Sequence, residues 1–196
     1  FSFQKNGEKY LFDVVFMSIH GTPAEDGKIQ GYFDLLNIPY TCSSALASAI
    51  TFDKDICKQL VKDFPIKQAK SLLLKDENTT IETILKKMSL PVFVKPNKNG
   101  SSYGTSKVKN EAEFDTSLKN AFKFDDEVLV EEFIDGREMA CGVIEKQGEL
   151  IALPITEIIP ENEFFDYEAK YEGKSKEVTP AEISDKIRDE AQSKSK

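Results

Sequence analysis

The sequence is poor in the residues that build metal centres and disulfide frameworks. Among 196 residues there is one histidine, His20, and there are three cysteines, Cys42, Cys57 and Cys141. No CxxC pair occurs, and the cysteines are scattered. A structural zinc site draws on about four clustered ligands, so a zinc centre is excluded. Cys57 and Cys141 have apolar neighbours and read as small hydrophobes. Free thiols of this kind suit a reducing compartment, so a cytoplasmic location is expected. No apolar run approaches the roughly 20 residues of a membrane-spanning helix, which argues against membrane insertion. Phe1 to Tyr10 lack the basic-then-apolar order of a secretory leader. Positive charge is also in the minority, with 26 Lys and Arg against 34 Asp and Glu, a net charge of -8. Duplex binding depends on cations that neutralise phosphates, so a nucleic-acid partner is not expected.

What is present is a globular composition, 40% hydrophobic and 31% charged. Leu11 to Ile19 is an apolar run ending at His20-Gly21-Thr22, and reads as a buried strand before a polar loop. Ile29, Phe33 and Leu36 then recur at helical spacing. Strand, loop and helix make half of a βαβ unit, and ligands meet such units at the carboxyl ends of strands. Ser44 is placed to cap a helix through Leu46, Ala49 and Ile50. Ile56, Leu60 and Val61 mark a second helix, closed by Pro65. Short strands are expected at Gln68 to Leu74 and Pro91 to Val94, with a helix from Thr80 between them. Thr105 to Val108 is extended, and Asn110 with Glu113 resembles a capping pair. Phe114, Leu118, Ala121 and Phe122 share a helical face. Glu127 to Ile134 is a strand, and the alternation Met139, Cys141, Val143 leads into a hairpin. Glu161 to Glu177 reads as a long loop, and Pro180 as the opening of a helix carrying Ile183, Ile187 and Ala191. No internal repeat or low-complexity tract occurs.

Three segments could carry chemistry. The loop Lys95-Pro96-Asn97-Lys98-Asn99-Gly100-Ser101-Ser102-Tyr103-Gly104 links two extended stretches. Gly100 and Gly104 permit dihedrals that other residues resist, so successive amide N–H groups could face an anion. Ser101 and Ser102 add hydroxyls, and Lys95 adds a charge. This fits phosphate binding, although no GK[ST] precedes a helix as in a Walker loop; an ordinary polar hairpin tip fits equally. In Val128 to Ile134, Glu131 could accept from an exocyclic amine, and Glu138 could hold ribose hydroxyls. A solvated strand end with acidic gatekeepers is the alternative. Phe164 to Tyr171 crowds aromatics and Lys170 into one segment, either a lid over a ligand or a loop pinned by its aromatics. His20 is either a structural histidine or a ligand-facing one.

Taken together, HGTPAEDGKIQG from His20, LNIPYT, FDKD ending at Asp55, PVFVKPNKNGSSYGTSKV, VLVEEFIDGREM and FFDYEAKY resemble the D-alanine–D-alanine ligases of the ATP-grasp superfamily. The strings are collinear and span about Phe12 to Pro180. The resemblance implies an α/β and α+β chain: an ATP-grasp fold preceded by part of a Rossmann-like N-terminal domain. Residues 1–42 would close the substrate-binding domain, 43–131 would form the central ATP-grasp subdomain, and 132–196 would begin the C-terminal one. The implied reaction is ATP-dependent ligation of two D-alanines through an acyl phosphate.

The resemblance also implies roles. Lys54, Lys95 and Lys170 would neutralise ATP phosphates, and Ser102 with the amides near Gly100 would clamp the terminal phosphate. Glu131 would face the adenine amine, backbone at Glu132 and Ile134 would read the ring, and Phe133 and Phe164 would sandwich the base. Glu138 would bind ribose, and His20 would sit near the first D-alanine. Ser101 and Tyr171 would form a catalytic bridge between phosphate loop and lid. Glu132 stands where some relatives carry lysine. Magnesium, or manganese, is the implied metal; its ligands, a family glutamate, and an arginine and aspartate are expected outside Phe1 to Lys196. The chain is therefore expected to be an internal portion of a ligase, unable to complete the reaction alone. Family likeness suggests a homodimer. A ligase joining D-alanine to D-lactate or D-serine, or a non-catalytic nucleotide-binding module, are the alternatives.

Overall fold

A computed structural model describes residues 1–160 and 175–196. The chain divides into two compact units, Phe1–Phe133 and Ile134–Lys196.

The first unit opens with a hairpin of β1 (Ser2–Lys5) and β2 (Glu8–Leu11). Its two-residue turn places Asn6 and Gly7 at φ 54° and 81°, the left-handed pair that suits strand twist. Every position of both strands is exposed. The buried strand expected over Leu11 to Ile19 does not form. The stretch after Leu11 makes one parallel bridge, Val15 to Tyr40, and Phe16 remains 80% exposed. An apolar run becomes a strand only where neighbours satisfy its backbone hydrogen bonds in succession, and here they are met singly, at Phe12, Val15 and Met17.

Three helices follow: α1 (Lys28–Leu35), α2 (Ala45–Phe52) and α3 (Lys54–Leu60). Gly27 precedes α1 at φ 81°, and a Cβ there would overlap the Ala45 carbonyl oxygen. Only glycine meets both conditions. Ser44 caps α2 as expected, its hydroxyl accepting from Ala47 N at 3.3 Å. Asp53 caps α3 through Ile56 N at 3.0 Å.

The centre of this unit is an antiparallel sheet of β3 (Ser71–Leu74), β4 (Val92–Pro96), β5 (Ser106–Val108) and β6 (Val128–Glu132), in the order β3-β6-β4-β5. One face carries Leu74, Val92, Val94, Val108, Val128 and Val130, packed with α4 (Ile81–Leu85) and α5 (Phe114–Phe122) through Ile84, Phe114 and Leu118. Side chains alternate between faces along a strand. The same pleat that sends Val92 and Val94 inward therefore sends Phe93 and Lys95 to the opposite face, where Phe93 pairs with Glu131 of β6. The Asn110–Glu113 pair differs from a capping box. Asn110 Nδ2 donates to Glu113 Oε1 at 2.5 Å, and Glu113 Oε2 accepts from Lys109 N at 2.8 Å.

The second unit contains β7 (Glu138–Ala140), β10 (Thr156–Pro160) and β11 (Ser175–Val178) in one antiparallel sheet, and a separate hairpin of β8 (Val143–Lys146) and β9 (Glu149–Ala152). Ser175 to Glu177, expected as the end of a loop, belong to β11 and pair with β10. Arg137 holds Glu157 with both prongs, at 2.6 and 2.5 Å. The last helix, α6 (Asp185–Ser195), starts after Ser184 rather than at Pro180. The Ser184 hydroxyl accepts from Ile187 N at 3.4 Å, a capping group that proline lacks, and Ile183 falls outside the helix.

Candidate functional site

The loop after β4 is an antiparallel hairpin tip, with Val94 opposite Ser106. Its left-handed residues are Ser101, Ser102 and Gly104, at φ 52°, 58° and 73°. Gly100, expected for its dihedral freedom, is not among them; it is small because a Cβ would press to 2.6 Å from Glu25 Oε2. Two successive left-handed serines are the central pair of a tight turn of the primed class. The loop is closed by Tyr103 N to Gly100 O, 3.2 Å, and Thr105 N to Ser102 O, 3.1 Å.

Its base is anchored by charge. Asn97 is fully buried. Its Nδ2 donates to Asp53 Oδ1 at 2.9 Å and to Glu127 Oε2 at 3.2 Å, and its Oδ1 accepts from Asp55 N at 2.9 Å. Lys98 Nζ donates to Glu127 Oε2 at 2.8 Å, and Lys75 Nζ reaches Glu127 Oε1 at 2.5 Å. Hydrogen bonds from Lys75 and Lys98 hold the Glu127 carboxyl down at about 2. Burial opposes the charge on Lys98, but Glu127, Asp125 and Asp126 raise its pKa.

The lysines on this side converge. Lys54, at the start of α3, donates its Nζ to Asn97 O at 3.0 Å and Asn99 O at 2.8 Å. Burial, and then the nearby Lys95, lower its pKa to about 8 against the opposing pull of Asp125, Glu131 and Asp53. Lys95 pairs with Glu131 Oε2, and Lys58 pairs with Glu131 Oε1 at 2.6 Å. Burial works to raise the Glu131 pKa, but Lys95 and Lys58 together hold it below the usual carboxylate range. Glu131 is thus a counter-ion shared by two lysines, not a solvated strand end. Glu132 is tied to the adjacent edge, its Oε1 accepting from Lys70 N at 2.7 Å. The Phe133 ring tilts against Phe93 at 6.0 Å, and Lys107 Nζ lies 3.7 Å from its centroid.

A cleft of about 540 Å³ lies in the first unit, lined by His20, Glu25, Gln30, Ser48, Lys54 and Gly100 among others. His20 Nδ1 is 3.8 Å from Glu25 Oε1, and Glu25 Oε2 accepts from Gly21 N at 2.6 Å. Buried Gln30 donates its Nε2 to Ala24 O at 2.6 Å and Ser48 Oγ at 3.2 Å. That ties the loop bearing His20 to α2.

Of the expected site residues, the structure brings His20, Lys54 and Gly100 to this cleft, and joins Lys95 to Glu131 beside Lys54. Ser101 and Ser102 form the loop tip. Ile134 is 63% exposed and Glu138 lies on β7, both in the second unit. Phe164, Lys170 and Tyr171 lie outside the described residues. Sequence reasoning missed Asn97, Glu25 and Lys58. Lys58 had a signal, because it is four residues from Lys54 and so shares its helix face. Among the described residues there is no group of three or more His, Cys, Asp or Glu placed to hold a metal ion. No helix among them is long and apolar enough to cross a membrane.

The chain matches a family model described as D-ala D-ala ligase C-terminus over residues 60–196, and one described as D-ala D-ala ligase N-terminus over residues 1–43. It is 53% identical over 189 residues to a D-alanine–D-alanine ligase of Flavobacterium johnsoniae, a match covering 95% of this chain and 58% of that protein. A Bacteroides fragilis D-alanine–D-alanine ligase is 44% identical over 188 residues, with the same coverage of 95% and 58%. The chain therefore spans somewhat over half the length of these relatives. Among solved structures, the VanG D-Ala:D-Ser ligase of Enterococcus faecalis superposes with a TM-score of 0.81 at 36% identity, over 93% of this chain and 54% of that one. D-alanyl-alanine synthetase A of Vibrio cholerae also gives 0.81, at 29% identity, over 99% of this chain and 60% of that one.

Proposed function

Because this chain belongs to the D-alanine–D-alanine ligase family, with its ATP-grasp fold, we propose that it supplies the phosphate-binding part of an enzyme that joins two D-alanines at the expense of ATP. The observation that carries this reading is the meeting of Lys54, from α3, with the loop after β4 and the Lys95–Glu131 pair beside it. Ammonium groups fixed on separate elements around a polar loop suit a polyphosphate. Phosphoryl transfer needs little beyond positioning and neutralised charge. The sheet supplies the first and the lysines the second.

The chemistry follows from the weakness of a carboxylate as an electrophile. The carboxylate of the first D-alanine attacks the γ-phosphorus of ATP, and ADP leaves. The amine of the second D-alanine then attacks the acyl carbon, an amide bond forms, the amine loses a proton, and phosphate departs. In this reading Lys54, Lys95 and Lys170 face the phosphates, while Gly100, Ser101 and Ser102 fold over the terminal one. His20, held by Glu25, faces the first D-alanine across the cleft. Glu131, Glu132, Phe133, Ile134, Glu138 and Phe164 serve adenine and ribose. Tyr171 completes the bridge from Ser101, which shuts water away from the acyl phosphate. Magnesium would be held by groups other than the described residues. A cytoplasmic location and a homodimer belong to the same reading.

Calorimetric titration of ATP into the chain and into Lys95→Ala tests it. The substitution is expected to weaken binding by about tenfold or more, the scale of a hydrogen bond to a charged group. Equal affinities would remove the phosphate role. The likeness to a D-Ala:D-Ser ligase favours one rival, with D-serine as the second substrate. Product masses with D-alanine, D-serine and D-lactate offered together decide between them.

A further inference from the structure

We propose that Asn97 is a positioning residue for the phosphate site: its buried side-chain amide grips the residues on both sides of Lys54 and so registers that lysine against the phosphate loop. The inference rests on the ATP-binding reading above and adds a residue to it.

The geometry is a clamp. On one side of Lys54, Asp53 Oδ1 accepts from Asn97 Nδ2 at 2.9 Å; on the other, Asp55 N donates to Asn97 Oδ1 at 2.9 Å. The same Nδ2 reaches Glu127 Oε2 at 3.2 Å, and Asn97 N donates to Glu127 O at 2.9 Å. One side chain therefore locks α3, the end of β4 and the start of β6 together. Asn97 has no exposed surface, so water does not compete for these bonds. A buried amide of this kind is retained only where its donors and acceptors are met, and here both ends are used. Its backbone carbonyl, in turn, accepts from Lys54 N at 3.3 Å and Lys54 Nζ at 3.0 Å. Lysine carries four rotatable side-chain bonds, and fixing its ammonium in advance spares part of the ordering entropy of binding. Asn97 touches no ligand in this account; it acts through Lys54.

A double-mutant cycle separates this from general support of the fold. ATP affinity is measured by calorimetry for wild type, Asn97→Ala, Lys54→Met and the double variant, with urea unfolding in parallel. Asn97→Ala is expected to weaken ATP by about tenfold in the wild-type background and by under about twofold once Lys54 is gone. A pH series adds a second readout. The groups acting on Lys54 are Lys95 of β4, Glu131 of β6, Asp125 before β6 and Asp53 before α3. Wild-type affinity should fade as pH rises past about 8, where Lys54 loses its proton. In Asn97→Ala a loosened, better hydrated Lys54 should move that midpoint upward. Asn97→Asp keeps the volume and the acceptor for Asp55 N but sets a carboxylate against Asp53 and Glu127; it should show the same upward shift and weaker binding even if Asn97→Ala folds poorly. Additive losses in the cycle, or an unmoved midpoint, would overturn the proposal while leaving the ATP reading intact. Absence of ATP binding by wild type would overturn both.

Discussion

The four-stranded sheet and the first 41 residues both contribute to one cleft, yet they are supported in different ways. In the sheet and the two helices packed on it, Ile84, Val92, Val94, Val108, Phe114 and Val130 have no exposed surface. In the leading segment, Leu11, Phe16 and Leu35 are each about four-fifths exposed. The phosphate loop therefore springs from strands fixed by a close-packed core. The loop bearing His20 is held by a few polar ties: Glu25 to Gly21 N, Gln30 to Ala24 O and Ser48, and the close approach of Gly27 to α2. The lesson is that one cleft can be rigid on its sheet side and merely tethered on its leading side, a division that the proposed reading assigns to phosphates and to the smaller substrate.

Core substitutions should expose this contrast most strongly. Phe114→Ala is expected to lower unfolding stability by about 3–5 kcal/mol, the range for emptying a buried aromatic site. Phe16→Ala should change it by less than about 0.5 kcal/mol, because the ring is already in water. Urea midpoints for the two variants check the comparison. Equal losses would mean that the leading segment has a core of its own.

Lys54 sharpens the comparison from the functional side, because the rigid half holds its lysine against its solvation preference. Its folded pKa, about 8, lies below the ordinary 10.5. Between these values the unfolded chain binds the proton and the folded chain does not, so this lysine's contribution makes stability rise with pH across that window. At pH 7 the ammonium is a net burden. Lys54→Met should then stabilise the chain at pH 7 by on the order of 1–3 kcal/mol while weakening ATP. The stabilisation should shrink as pH rises from 8 to 10.5. A variant destabilised at pH 7 would show that the two carbonyl bonds outweigh the burial.

Glu127 makes the opposite, acid-side prediction. Its folded pKa of about 2 is depressed below the ordinary 4.5 by Lys75 and Lys98. Its stabilisation is complete above about 4.5 and is lost as pH falls through about 2. Acid titration of Glu127→Gln, followed by circular dichroism, should show a shallower loss than wild type across that window. Matching curves would remove the carboxylate from the anchoring of the loop.

How far the sequence announced these features depends on how local their causes are. The alternation Val92, Val94 against Phe93, Lys95 is written in four consecutive residues, and the sheet repeats it. The cap at Ser44 depends on a residue three positions away and was equally plain. Leu11 to Ile19 misled because an apolar run states a need for neighbours without supplying them. Asn97 was invisible for the converse reason: its partners Asp53 and Glu127 lie 44 and 30 residues away. For Glu131 the sequence offers an amine acceptor or a solvated strand end, and neither includes Lys58, 73 residues distant, which takes one of its oxygens.

The smallest effect is expected at His20, and it tests whether the two halves of the cleft act separately. The side chain is 73% exposed and its nearest charged partner, Glu25, is 3.8 Å away. Glu25 keeps its bond from Gly21 N when the imidazole is removed. Surface changes of this kind stay within about 0.5 kcal/mol, so His20→Ala should leave the unfolding midpoint where it is. The lysines proposed to face phosphate, Lys54 and Lys95, belong to α3 and β4 rather than to the His20 loop. ATP affinity should therefore hold within about twofold, whereas D-alanine binding, read by displacement of the amino acid at fixed ATP, should weaken. A parallel fall in ATP affinity would mean that the tethered loop transmits its position to the phosphate site through Glu25 and Gly100, and the two halves would then have to be treated as one.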